Sequence, residues 1–137
     1  VVADISTAMP GGVGTFTSFA TLPRISGGNV VLHGYGSGAQ AGIYKDVGSG
    51  LQVVAARGMP VPGEGVSFQS FGGAVAISNT SVAFQAFRPG AGGAFTDLGG
   101  SLRLVENGAI YLDIDGQTIL FTKQFGQVLR AEIGGVL

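Results

Sequence analysis

Residues 53–71, VVAARGMPVPGEGVSFQSF, decide the fold because they are a second copy. Residues 1–19, VVADISTAMPGGVGTFTSF, carry the same pattern 52 positions earlier. Val1, Val2, Ala3, Pro10, Gly11, Phe16, Ser18 and Phe19 return as Val53, Val54, Ala55, Pro62, Gly63, Phe68, Ser70 and Phe71. Self-similarity at a period near 50 residues is the mark of one supersecondary unit used repeatedly. Each copy reads as a short β-branched run, a glycine- and proline-rich crossing loop, and a return to strand-forming residues.

Working outward, residues 1–52 form a first unit. Residues 1–4 are apolar and β-branched, which suits a strand. Residues 6–18 hold Pro10, Gly11, Gly12 and Gly14 and exclude a helix, so Phe16 and Phe19 are expected to pin this loop to the core. Residues 19–26 and 29–34 flank Gly27-Gly28, the signal of a hairpin with a two-residue turn. Residues 41–46 and 51–57 form the next pair, joined through DVGSG at 46–50.

The second unit, residues 53–103, returns in order. Ile77-Ser78 matches Ile25-Ser26 and Val82 matches Val30. After Arg88 the offset drops to 51, and Gly93, Asp97, Gly99 and Leu102 match Gly42, Asp46, Gly48 and Leu51. Phe95 stands in for Tyr44. In the third unit, residues 104–137, Leu104-Val105 repeats the Val-Val start but the crossing loop is missing. Glu106-Asn107-Gly108 reads as a hairpin turn, and Asp115-Gly116 joins residues 109–114 to 118–123. Residues 127–133 alternate as a half-buried strand does. Residues 1–4 are then one strand too many at the start, and the third unit is one strand short.

The expected fold is all-β, in antiparallel four-stranded repeat units like propeller blades: two full units and a divergent third in a single repeat-built domain, 1–137. Three blades are too few for a propeller, which typically has four to eight. Completion by strand or subunit exchange is therefore expected, with Val1, Val2, Ala3 and Asp4 as the exchanged strand; the alternative is that the chain folds alone as a compact barrel, sandwich or trefoil-like body.

Composition fits this. The chain has 137 residues, 26 of them glycine, and charged residues make up only 11%, against roughly 25% in an average domain. The apolar residues fall in short bursts, with no run near the roughly 18 residues of a membrane helix. A net charge of −1 from scattered side chains gives no basic field for nucleic acid. There is no cysteine, which excludes disulfides and thiolate metal sites. The first residue is Val and no basic and apolar leader follows it, so a processed or excised chain is expected.

Chemistry is sparse. His33 is the single histidine, so a triad with a spare base cannot be built, and a packed histidine is the preferred reading. Asp113-Ile114-Asp115-Gly116 resembles the start of a calcium loop, but the twelfth position is Gln124 where a glutamate is required; it reads as a hairpin turn. Gly34-Tyr35-Gly36-Ser37-Gly38 lacks the lysine and following helix of a phosphate loop and reads as a strand connection. Asp46 and Asp97 recur in Asp-x-Gly turns, and Glu64 replaces Gly12. Asn79-Thr80-Ser81 fits the N-glycosylation sequon and makes Asn79 a candidate modification site, in what reads as a turn. The serines and threonines of residues 6–18 are candidates for O-linked sugars. No cofactor, metal or catalytic group is expected.

VVAD, ST, MPGG, GTFTSF, ISGGNV and GIY resemble a tandem repeat of about 50 residues in secreted, surface-anchored bacterial proteins of the PEP-CTERM type, many of them cyanobacterial. The resemblance covers residues 1–44 closely and 53–103 loosely. It implies an extracellular or cell-surface, non-enzymatic, propeller-like protein. The resulting expectation is a structural protein that assembles with itself, as ring or filament, through β edges and apolar faces. The alternative is a carbohydrate-binding module with cell-surface glycans as partners, weakened by the absence of tryptophan.

Overall fold

The computed structural model describes residues 1–20, 22–123 and 126–132. Among these the chain is all-β, twelve strands in three successive antiparallel sheets. The first sheet holds β1 (Phe16–Phe19), β2 (Arg24–Ser26), β3 (Asn29–Gly36), β4 (Ala41–Asp46) and β5 (Leu51–Ala56), with β1 and β2 both paired to β3. The second is β6 (Ser70–Ser78), β7 (Ser81–Arg88), β8 (Ala91–Thr96) and β9 (Arg103–Asn107), in that order. The third is β10 (Ala109–Asp115), β11 (Thr118–Lys123) and β12 (Gln127–Glu132). None of the sheets closes into a barrel.

The strands repeat as the sequence does. Leu32 pairs with Tyr44 and Phe84 with Phe95; Tyr44 pairs with Val53 and Phe95 with Leu104. A bulge falls at the same place in the two β ladders, between Ile43 and Tyr44 and between Ala94 and Phe95. The rings repeat too: Phe16 meets Tyr44 edge-on at 5.0 Å and Phe68 meets Phe95 edge-on at 5.1 Å, a favoured aromatic geometry.

The crossing loops are more ordered than a loop reading suggests. Each contains a small hairpin of its own, bridged Ala8 to Thr15 and Pro60 to Ser67. The Met9 amide donates to the Gly14 carbonyl at 3.0 Å, and the Val61 amide to the Val66 carbonyl at 2.8 Å. Met9 and Val61 plug these hairpins into the core.

Alternation along each strand gives every sheet a leading face, toward the sheet before it, and a trailing face, toward the sheet after it. Val31, Ile43 and Ala55 of the first trailing face pack against Phe71, Val75, Val82, Phe84 and Phe95 of the second leading face. Ala76, Ala83 and Ala94 of the second trailing face pack against Ile114, Ile119 and Phe121 of the third sheet. Leu32, Tyr44, Phe16 and Met9 form a separate cluster on the leading face of the first sheet.

In the single chain residues 1–4 are in no strand and have no partner strand among the described residues. Two expectations are corrected. Glu106-Asn107-Gly108 is not a hairpin turn but a corner, because β9 and β10 lie in different sheets and the Gly108 amide bonds back to Gly92. Residues 34–36, read as a loop connection, continue β3. The strand expected at 127–133 is β12 as far as Glu132; Ile133 lies outside the described residues, as does Gln124.

Candidate assembly surfaces

The two outer faces of the stack are unlike each other and unlike the inner ones. On the leading face of the first sheet, Phe19, Ala20, Pro23, Val30 and Leu32, with Val1, Val2 and Ala3, line an open apolar cavity of about 360 Å³. Pro23 is exposed and Val30 half-buried, while Leu32 is already 7% exposed; their counterparts in the second sheet, Val75, Val82 and Phe84, are 5%, 0% and 0% exposed, in one core with Val31, Ile43 and Ala55. Val1–Ala3 stand where Val53–Ala55 stand one repeat later, and Ala3 packs on the first leading face as Ala55 packs on the second.

The trailing face of the third sheet carries Tyr111, Leu120 and Val128, at 69%, 45% and 68% exposed, beside Asp113, Arg130 and Glu132. Leu120 sits between Asp113 and Arg130 in register. Arg130 reaches Glu132 at 3.6 Å, an exposed pair that contributes little. The far edge of β12 has no partner strand among the described residues. Exposed apolar residues grouped on one face mark an interaction surface more than scattered ones do.

Between the first and second sheets the Lys45 ammonium bonds the Asp97 carboxylate at 2.6 Å and the Thr80 carbonyl at 2.8 Å, while the other Asp97 oxygen accepts the Val82 amide. Between the second and third, Lys123 meets Glu106 at 3.0 Å. The hairpin turns form a ladder of their own: the Asn79 amide donates to Ser26 Oγ and the Gly116 amide to Ser78 Oγ, each at 2.9 Å. Ser26 and Ser78 are repeat equivalents.

The remaining sequence candidates fall apart as sites. Asp46 accepts the Gly48 amide as a turn former, but Asp97, read the same way, is an anchor between sheets. Asp113 and Asp115 flank a hairpin, and among the described residues no three metal-ligating side chains gather. Asn79 is exposed, with φ 55° at the first central position of its turn; Gly27 and Gly116 hold φ 55° and 58° in the matching turns. Asn is one of the few residues that tolerate this conformation. Its backbone is committed to Ser26 and Asn29, and its side chain faces outward. Ser6 and Thr7 bond Asp4, which holds that carboxyl below its ordinary range.

His33 is buried between sheets against Tyr35 and Phe71, ring centroids 4.5 and 5.9 Å away, and burial pushes its pKa down. Glu64 pairs with the buried Arg88 guanidinium, which also bonds Asn107 and lies over the Phe95 ring. Lys45, Arg88 and Arg130 gave no signal in the sequence because none recurs in kind: Thr96 replaces Lys45 in the second unit and Gly36 matches Arg88 in the first. A further cavity of about 470 Å³ opens beside β2, β6 and β10, where Arg24, Gln85 and the exposed Tyr111 meet.

A family model described as a family of unknown function (DUF7453) matches residues 1–130. The chain belongs to this family. No curated protein and no solved structure matches it. Among the described residues no helix is long and apolar enough to cross a membrane.

Proposed function

We propose that the protein is an extracellular or cell-surface structural protein of propeller-like build that assembles with itself, as ring or filament, and carries out no catalysis. One observation carries the reading: the leading face of the first sheet is open and apolar where the same face of the second is sealed by its neighbour. Covering this face would take the exposed Val1, Val2 and Pro23 out of water and complete the burial of Phe19 and Val30, and burial of apolar surface favours association. The exposed apolar group on the last trailing face and the edge of β12, unpaired among the described residues, support it from the other end. The few charges and the glycine-rich surface suit a subunit whose ends are covered in an assembly, and the likeness to surface-protein repeats supports the location.

Light scattering across a concentration series tests this. Mass rising to a multiple of 13.7 kDa is expected; a constant monomer mass from micromolar to millimolar protein sinks the reading.

A carbohydrate-binding reading has one observation in its favour, the cavity where the exposed Tyr111 ring stands near Arg24 and Gln85. An exposed aromatic beside hydrogen-bonding side chains suits sugar stacking. Binding on a glycan array that is lost in Tyr111→Ala would favour it over assembly alone.

A further inference from the structure

We infer that copies of the chain join head to tail: the trailing face of the third sheet in one copy seats on the leading face of the first sheet in the next, and residues 1–4 of the next copy add to β12 as its fourth strand. This rests on the self-assembly reading and gives it a partner and a register.

The internal repeat supplies the register. Superposing the turn Ser78–Ser81 on the turn Asp115–Thr118 makes Leu120 the counterpart of Ala83 and of Val31. Arg130 opposes Leu120 as Lys45 opposes Val31, so Arg130 takes the place of Lys45. Lys45 is held by Asp97, and the repeat equivalent of Asp97 in the first sheet is Asp46. A cation at one end of the chain and a carboxylate at the other therefore stand where the existing ion pair between sheets would be repeated. Such complementarity fixes orientation and selects the partner.

The turn ladder extends in the same way. Ser26 and Ser78 each accept an amide from the next turn, and the third sheet offers the Asp115 carboxylate at that position. Its donor is the Gly27 amide of the next copy, equivalent to Asn79. The apolar contact follows: Leu120 and Val128 replace Val31 and Ile43, and meet Leu32 and Phe19 as those meet Phe84 and Phe71.

The strand completes the set. Val53 pairs with Tyr44 and Ala55 with Ile43; Leu104 pairs with Phe95 and Glu106 with Ala94. Carried forward, Val1 pairs with Leu129 and Ala3 with Val128. Addition of a strand to a free edge satisfies backbone groups that are otherwise left to water. The contact is heterologous, so repetition gives a ring when its rotation closes and a filament when it does not.

The chain has no cysteine, which makes a cross-linking test clean. Opposed residues in an antiparallel pair lie about 4.5–5.5 Å apart at Cα, within disulfide reach. Ala3→Cys and Val128→Cys chains, mixed under mild oxidation, are expected to give a covalent dimer of both, and neither chain alone is expected to do so. Val13→Cys replaces Ala3→Cys as the control, being exposed on the crossing loop. Arg130→Glu is expected to weaken association roughly tenfold, and Asp46→Lys in that background to restore it. Scattering that shows assembly without the mixed dimer, or with a dimer of Ala3→Cys alone, overturns the head-to-tail register while the self-assembly reading stands. A monomer at all concentrations overturns both.

Discussion

The Lys45 ammonium of the first sheet lies 2.6 Å from the Asp97 carboxylate of the second, and both side chains are about 15% exposed. Lys45 also caps the Thr80 carbonyl and Asp97 the Val82 amide, so the pair ties two hairpins together across a sheet boundary. Removing one partner leaves the other charge in a half-dry site, whereas removing both does not. Lys45→Met is expected to lower unfolding stability by about 1–3 kcal/mol. Lys45→Met with Asp97→Asn is expected to cost less than the two single changes together. Urea midpoints for the four proteins of the cycle check the coupling; additive costs would mean that the pair does not join the sheets energetically.

Arg88 holds the second crossing loop as Gln40 holds the first. Gln40 bonds both the amide and the carbonyl of Val13 at 2.9 Å, while Arg88 binds Glu64 and Asn107 from beneath. The same backbone is pinned by an amide in one unit and an ion pair in the other. A planar fork that lies over the Phe95 ring while binding two partners has no substitute in a lysine. Arg88→Lys is therefore expected to destabilise by about 2–3 kcal/mol, close to the cost of Arg88→Met. Thermal unfolding of both variants checks it, and near-full rescue by lysine would show that only the charge matters.

Much of this fold was legible because the local code and the repeat agree. The runs Ala41–Asp46 and Thr118–Lys123 fall where alternation and turns place them. Phe16 and Phe19 were readable as anchors because their spacing recurs at Phe68 and Phe71. Glu106-Asn107-Gly108 misled because a turn dipeptide specifies a local reversal and says nothing about which sheet the next strand joins; that is decided by Ala109, Ile114 and Phe121 packing against the second sheet. The polar contacts between sheets were invisible for a different reason. Lys45 meets Asp97 only because the first two sheets stack, at a separation that no local pattern encodes, and Thr96 stands in the second unit where Lys45 stands in the first.

His33 gives the stability a pH dependence. Burial between Tyr35 and Phe71 holds its pKa below the ordinary value of 6.5, with the Gly72 backbone pulling weakly the other way. The folded state keeps the ring neutral while the unfolded chain takes up a proton near pH 6.5. Stability is therefore complete above that pH and falls as the pH drops toward the folded-state pKa. Denaturant midpoints at pH 7.5 and pH 5 are expected to differ more for the parent than for His33→Phe. Equal differences would assign the acid sensitivity to the carboxylates instead.

Gly42 and Gly93 are equivalent residues beside the two equivalent bulges, and both face a carbonyl of the next strand. A Cβ at Gly42 would stand 2.8 Å from the Ala55 oxygen, and one at Gly93 would stand 2.9 Å from the Glu106 oxygen. Backbone cannot swing aside as a side chain can, so the strands would have to separate at the point where the bulge aims Ala55 at the second sheet. Gly42→Ala and Gly93→Ala are each expected to destabilise by about 1–3 kcal/mol. Gly73→Ala provides the comparison, since nothing lies within 4 Å of a Cβ there and its φ is not positive. That change is expected to stay within about 0.5 kcal/mol. Chemical denaturation of the three variants decides it: equal effects at all three sites would mean that the loss reflects glycine's general role in strands rather than close approach at the bulges. Because Ala55 belongs to the core that joins the first two sheets, Gly42→Ala is further expected to loosen the boundary between them. Faster amide exchange at Val82 than in Gly93→Ala would report that loosening.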